Sequence, residues 1–115
     1  MSGQSVFPKK NRLLRRSEYL RLNSLKDPVF KGKTFILFMS SNNLGLARIG
    51  ITASRKVGNA VARNRVKRLI RESCRQLLFA LPAADILFIA RKGAVEFEEL
   101  FKQELSCALS RIGLC

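Results

Sequence analysis

The sequence predicts an α+β fold, with one sheet of about four strands packed with three helices. Three observations lead to it. Segments of helical spacing alternate with segments of strand character in the order α, β-β, α, β, α, with one further short strand early. Turn and breaker residues fall between those segments rather than inside them. A chain of 115 residues with 47% hydrophobic content reads as one domain, 1–115, able to bury a core without staples.

Residues 1–11 are polar and basic, and are expected to be loosely ordered. From Arg12, the run RLLRRSEYLRLNSLKD suggests the first helix, with Leu13, Ser17, Leu20 and Ser24 in one row and Ser17 as N-cap. Asp27-Pro28 ends it, because the residue before proline is pushed out of the helical region. Val29-Phe30 suggests a short edge strand. KTFILFMSS (33–41) is aromatic and β-branched, bounded by Gly32 and the turn signal Ser41-Asn42-Asn43. LARIGITAS (46–54) alternates, with Ala47, Ile49 and Ile51 opposite Arg48, Gly50 and Thr52. The short connection between these two strands predicts an antiparallel hairpin.

Gly58 is read as a turn residue free to take positive φ. Asn59 is a good N-cap for the longest helix, expected to run to about Ala80 and to stop before Pro82. ADILFIARK (84–92) is a continuous apolar run, which suits a strand covered on both faces. Glu96 to Ile112 reads as the last helix. Its Glu96, Glu98 and Glu99 suit the positive end of the helix dipole, and Phe97, Leu100, Phe101, Leu105 and Leu109 form its apolar stripe.

Charge is the outlier: 22 Lys+Arg stand against 8 Asp+Glu, a net charge of +14. An excess of this size repels itself in the folded state and points to a polyanionic partner, nucleic acid first and an anionic membrane second. No stretch supports a membrane span. The most apolar one, residues 77–90, falls short of the roughly 20 residues a bilayer needs and is interrupted by Pro82 and Asp85. Three cysteines without CxxC spacing make neither a disulfide framework nor a zinc site, so reduced thiols are expected, with Cys74 lining the core.

Residues 59–76, NAVARNRVKRLIRESCRQ, concentrate that charge. On a helical wheel with Arg63 at zero, Lys67, Arg71, Asn64, Arg75 and Arg68 fall at about 40, 80, 100, 120 and 140°. Leu69, Val66, Leu77 and Ile70 fall at about 240, 300, 320 and 340°, with Leu81 close to zero. Arg65, at about 200°, borders the apolar stripe on its other side. One face therefore anchors the helix while the adjoining face is a ridge of cations. Ordinary solvated faces mix signs, because like charges at i,i+4 repel by a few tenths of a kcal/mol, roughly 0.2–0.5 per pair. Arg63, Lys67, Arg71 and Arg75 form an unbroken row of one sign, and Glu72 is the only acid in the segment. Arginine's bidentate fit to phosphate favours docking on a folded nucleic-acid backbone over loose membrane attraction. Few amide side chains are present to read base edges, which disfavours DNA reading. Arg55 and Lys56 carry the basic patch into the loop before the helix.

Catalytic residue types are scarce. There is no histidine, no phosphate loop and no nucleophile elbow, and the eight acids form no metal-binding motif. No catalytic residue and no metal ligand is assigned; the protein is expected to assist chemistry held elsewhere.

Arg63-Asn64-Arg65 followed by VKRLIRE, and preceded by RIGITASRKVGNAVA, closely resembles the protein subunit of bacterial ribonuclease P. The likeness extends to FPKKNRLLRRSEY (7–19), TFILF (34–38) and ADILFIARKGA (84–94), most of the chain. The resemblance implies a small α/β sandwich of the ribosomal protein S5 second-domain type, with a left-handed βαβ crossover. It also implies a cytoplasmic ribonucleoprotein that removes the 5′ leader of precursor tRNA, in which the RNA subunit carries the magnesium-dependent hydrolysis. The protein itself would bind no cofactor; it would broaden substrate use and lower the magnesium requirement. Its expected partners are the catalytic RNA subunit and the precursor tRNA leader, with no membrane and no DNA.

By the same resemblance, Arg63, Asn64, Arg65, Lys67, Arg68 and Arg71 would meet the RNA subunit. A cleft between the sheet and the first helix would take the single-stranded leader at Tyr19, Phe38, and Arg55 or Lys56. Where the family commonly places a second aromatic one turn after the first, this chain has Asn23, expected to hydrogen-bond instead. Alternation puts Phe38 on one face with Ile36 and Thr34, and Phe35 and Leu37 on the other; the sequence leaves open which set is buried. A structural RNA-binding protein, such as a ribosomal component, fits the composition equally well but not the RNRVKRLIRE block. A DNA-binding regulator ranks third, for want of a dimer interface.

Overall fold

Central to the fold is one four-stranded sheet whose most apolar strand lies inside it. The computed structural model describes residues 9–13, 15–25, 27–76 and 81–113. After a 3-10 turn at Lys9–Asn11 come α1 (Arg16–Asn23), β1 (Phe30–Lys31), β2 (Phe35–Ser41), β3 (Arg48–Thr52), α2 (Ala60–Gln76), β4 (Ala84–Ala90), α3 (Gly93–Glu96) and α4 (Glu98–Gly113). The strand order is β1-β2-β4-β3.

The expected hairpin between β2 and β3 does not form. β4 lies between them, antiparallel to β2 and parallel to β3, with Leu87 opposite both Phe38 and Gly50. A short loop permits a hairpin but does not require one. The Ser41–Leu46 connection instead spans the width of β4, using positive φ at Asn43 (58°) and Gly45 (74°). Burial explains the choice. Ala84 to Phe88 are all buried, so this strand gains most from having neighbours on both edges and cover on both faces.

Each sheet face carries its own core. On one, Phe35, Leu37, Ile49, Ile86 and Phe88 pack with Val66, Ile70 and Cys74 of α2 and with Phe101, Leu105 and Leu109 of α4. On the other, Phe38 and Leu87 pack with Leu13 and Leu22, with Tyr19, Ile36 and Ile89 around them. Phe38 and Ile36 thus face α1. Thr34 does not share that role: it precedes β2, and its hydroxyl bonds Glu104 on α4. The same carboxylate accepts the backbone N–H groups of Thr34 (3.0 Å) and Lys33 (3.2 Å). Burial would raise the Glu104 pKa, but these hydrogen bonds outweigh it and hold the group below its ordinary value.

Helix boundaries differ from expectation where local hydrogen bonds win. Arg12 and Leu13 are not helical: Arg12 bridges Ile49, and the Leu13 N–H donates to the Ile49 carbonyl (2.9 Å). Asn11, expected to be loosely ordered, is buried and donates to the Ala47 carbonyl (2.7 Å). This segment covers the outer edge of β3. Arg15, not Ser17, caps α1, because its N–H is taken by Glu18 (3.2 Å). The residue α1 buries is Leu22; Leu20 is exposed. Asn59 caps α2 as expected, its Oδ1 accepting from Ala62 N–H (2.9 Å). Gly58 keeps an ordinary φ; its missing Cβ leaves room for the Ala62 methyl instead. α2 is described to Gln76; the rest of its expected span, with Leu77, lies outside the described residues, as does the stretch 1–8. The last helix is broken at Phe97, which caps α3 with φ −129° and faces solvent rather than the core.

One buried charge ties α1 to the sheet. Asp85 of β4 is fully buried and accepts from Arg48 Nε and Nη2 (both 2.8 Å), Asn42 Nδ2 (2.9 Å) and Arg21 Nη2 (3.2 Å). Arg48 Nη1 also pairs with Glu18 of α1 at 2.8 Å. Burial pushes the Asp85 pKa up, but the hydrogen bonds from Arg48 and Asn42 and the charges of Arg48 and Arg21 prevail, leaving it below its ordinary value. A carboxylate held down in the fold contributes stability above its ordinary pKa, lost as pH falls through the folded value. Asp85→Asn should lower the unfolding free energy at neutral pH by about 3–5 kcal/mol, the cost of breaking a buried pair. In urea titrations it should also show a shallower decline than the parent below about pH 4. Parent-like stability at neutral pH would contradict this account.

Candidate RNA interface

Two surfaces, on opposite faces of the sheet, carry the chain's unspent polar and aromatic groups. The first is α2. Val66, Ile70 and Cys74 are its buried residues, with Leu69 half-buried beside them. Burial pushes the Cys74 thiol up to about 12, so it is a protonated core group. On the adjoining face, Asn64, Arg68 and Arg71 are exposed, and Arg63, Lys67 and Arg75 half-exposed. Among the described residues, no carboxylate lies within ion-pairing distance of Arg63, Lys67, Arg68, Arg71 or Arg75, and the Nε atoms of Arg63 and Arg75 have no hydrogen-bond partner.

Magnitudes show why the helix tolerates this. Three i,i+4 repulsions cost about 0.6–1.5 kcal/mol together. Burying Val66 and Ile70 contributes about 3–6 kcal/mol. The core stripe wins, and the cations go wherever it carries them.

Arg65 is different. Its Nε and Nη2 donate to the Glu98 carboxylate of α4 at 2.9 and 2.8 Å, joining α2 to α4. The hydrogen bond from Arg65 holds Glu98 down to about 2. Among the described residues, Arg65 alone of the six α2 residues singled out from the sequence has an ion-pair partner. No local pattern shows this, because Glu98 is 33 residues away.

The second surface is a groove of about 480 Å³ between α1 and the sheet, lined by Arg16, Tyr19, Leu20, Asn23, Thr52, Leu87 and Ile89. Tyr19 lies over β3, its hydroxyl donating to the Leu13 carbonyl (3.1 Å). A Cβ at Gly50 would come within 2.9 Å of the Tyr19 ring and 2.6 Å of Leu13, so glycine there lets the ring approach the strand. Tyr19 and Asn23, singled out through the resemblance, both line this groove. Phe38 does not line it; its ring is buried on the same face, under α1. Arg55 and Lys56 are exposed on the turn that follows β3, outside the lining. Arg16, Leu20, Thr52 and Ile89 join the lining without having stood out in the sequence. Arg16 and Leu20 lie three residues before and one after Tyr19, and the spacing Arg16–Leu20–Asn23 marks a single helix face.

Among the described residues, no three His, Cys, Asp or Glu side chains come together in a way that could hold a metal ion. No described helix is long and apolar enough to cross a membrane.

Comparison with known proteins identifies the family. The family model described as Ribonuclease P matches residues 7–113. The ribonuclease P protein component of Geotalea uraniireducens is 41% identical over 111 residues, covering 95% of this chain and 96% of that protein. That of Citrifermentans bemidjiense is 40% identical over 110 residues, covering 94% and 93%. Among solved structures, the Staphylococcus aureus RNase P protein superposes with a TM-score of 0.81 at 28% identity, covering 90% of this chain and 97% of that one. The Thermotoga maritima RNase P protein, solved with 1-(4-fluorophenyl)-2-thiourea, gives 0.75 at 31%, covering 87% and 99%. With the match running through both the α2 helix and the α1 groove, the chain belongs to the ribonuclease P protein family.

Proposed function

We propose that this protein serves a catalytic RNA subunit in removing the 5′ leader from precursor tRNA, docking on that RNA through α2 and holding the leader in the α1 groove. The observation that carries the reading is the row Arg63, Lys67, Arg71 and Arg75, unneutralised among the described residues, on a helix whose adjoining face is locked into the core. A phosphate backbone supplies the matching charge, and its displaced counterions supply the affinity. Arg68 and Asn64 extend the contact across the exposed face.

The groove suits a single strand. Tyr19 offers an aromatic face, Arg16 a cation, Asn23 an amide, and Leu20, Leu87 and Ile89 an apolar floor. Single strands are held by this combination of stacking and charge, a stacked base contributing about 1–3 kcal/mol. Phe38 packs beside Leu87 of that floor, under α1. Arg55 and Lys56 would meet phosphates as the strand leaves the groove. Magnesium ions held by the RNA would supply the Lewis-acid chemistry of hydrolysis. The protein's cations would reduce the phosphate repulsion those ions otherwise screen, lowering the magnesium requirement and widening the range of substrates. The site of action is the cytoplasm, where precursor tRNA is processed.

Reconstitution tests this. The protein alone should cleave nothing; added to the RNA subunit at low magnesium, it should restore leader removal. No effect at any magnesium concentration would contradict the reading. The two surfaces should also separate by mutation. Arg68→Ala should weaken binding to the RNA subunit and lower the salt slope by about one. Tyr19→Ala should leave that binding intact but reduce the preference for leader-bearing over mature tRNA. Equal effects of both changes on both ligands would rule out separate surfaces.

A further inference from the structure

Exposed apolar side chains gather where α2 begins and α3 gives way to α4. Val61 is 78% exposed, Phe97 56% and Val95 40%. Among the described residues, Phe97 is the one phenylalanine whose side chain is more than half exposed. The fold brings the three to one region. Val95 lies against the start of α2, its Cγ2 3.8 Å from where a Gly58 Cβ would stand. Val61 is one turn before Arg65, whose guanidinium grips Glu98, the residue after Phe97. The Phe97 backbone is held on both sides, its N–H donating to Gly93 (2.8 Å) and its carbonyl accepting from Phe101 (2.9 Å). The ring is therefore presented outward from a fixed backbone rather than from a loose loop.

The surroundings narrow the choice of occupant. The acids beside Phe97 are paired, Glu96 with Lys92 at 3.6 Å, and Glu98 and Glu99 with Lys102 at 3.5 and 4.0 Å, Glu98 also holding Arg65. Arg68, within two turns of Val61 on its own side of α2, and Arg55 and Lys56 ahead of the helix have no carboxylate partner among the described residues. A second copy of this chain would bring another +14 of charge to the same place, so self-association is opposed. A nucleic acid joins an anionic backbone to flat apolar faces, and so matches both the cations and the patch. We propose that Val61, Val95 and Phe97 form a platform on which an unstacked base of the RNA subunit packs, while the adjacent cations hold its flanking phosphates. This rests on α2 being the RNA-docking helix and adds a base-stacking contact to it. Arg65 then acts as a positioning residue, keeping the Phe97 segment beside α2 through its grip on Glu98.

Equilibrium binding of the protein to a transcript of its ribonuclease P RNA, measured over a series of salt concentrations, tests the platform. Phe97→Ala and Val61→Ser should each weaken binding, Phe97→Ala by roughly 5- to 150-fold, with an unchanged salt slope, because no phosphate contact is lost. Phe97→Tyr should restore affinity. Both side chains are exposed, so the variants should melt like the parent. Parent-like affinity of both variants would overturn the proposal, as would a slope reduced by about one. A parent dimer that Phe97→Ala dissociates in sedimentation equilibrium would overturn it too, by showing a second copy on the patch. Arg68→Ala, measured alongside, keeps the two levels apart. If it binds with parent affinity and slope, α2 is not the docking helix; if it alone weakens binding, only the platform fails.

Discussion

Like charges one turn apart on α2 set the terms for the rest of the molecule. Arg63, Lys67, Arg71 and Arg75 repel one another, and among the described residues no acid reaches them. The free protein keeps them in a row because Val66, Ile70 and Cys74, on the neighbouring stripe of the same helix, are fixed in the core. The hydrophobic term exceeds the repulsion several-fold, so the strain is carried rather than relieved. A rigid, uncompensated row of cations is a poor device for stability and a good one for meeting phosphates.

A second consequence is spatial. α1 and α2 pack on opposite faces of one sheet, so the cation row and the Tyr19 groove belong to different sides of the molecule. Two segments of RNA could be held at once without competing for the same groups. The Asp85–Arg48–Glu18 connection matters here because it fixes α1, and with it the groove wall, to the central strand. Arginine appears in two roles. Arg48 and Arg65 have carboxylate partners and hold elements together, whereas Arg68 and Arg71 have none among the described residues and face outward.

Much of this is legible in the sequence, and the remainder is illegible for a common reason. The α2 helix, its Asn59 cap, its cation row and the alternation of β3 are local patterns, and local patterns are readable. Non-local pairing is not: residues 33–54 look like a hairpin, and only the insertion of β4 shows otherwise. A hint is present, since a strand apolar on both faces belongs inside a sheet and needs two neighbours. Asp85 reads as an interruption of an apolar run. A charge in a central strand demands partners, and Arg48 lies directly opposite it in register. Phe97 fits a helical stripe by spacing, but the chain breaks its helix there and turns the ring outward. The groove is half legible: Tyr19 and Asn23 stand out, while Gly50, which lets the Tyr19 ring settle, is only one member of an alternating strand.

The most direct test of the central claim is site-specific photo-crosslinking in the protein–RNA complex. A crosslinker at position 71, on the cation ridge of α2, should label the RNA subunit strongly, and one at position 106, on the exposed side of α4, should not. Silence from position 71 together with strong labelling from position 106 would show that the RNA sits elsewhere, and the account given for α2 would be wrong.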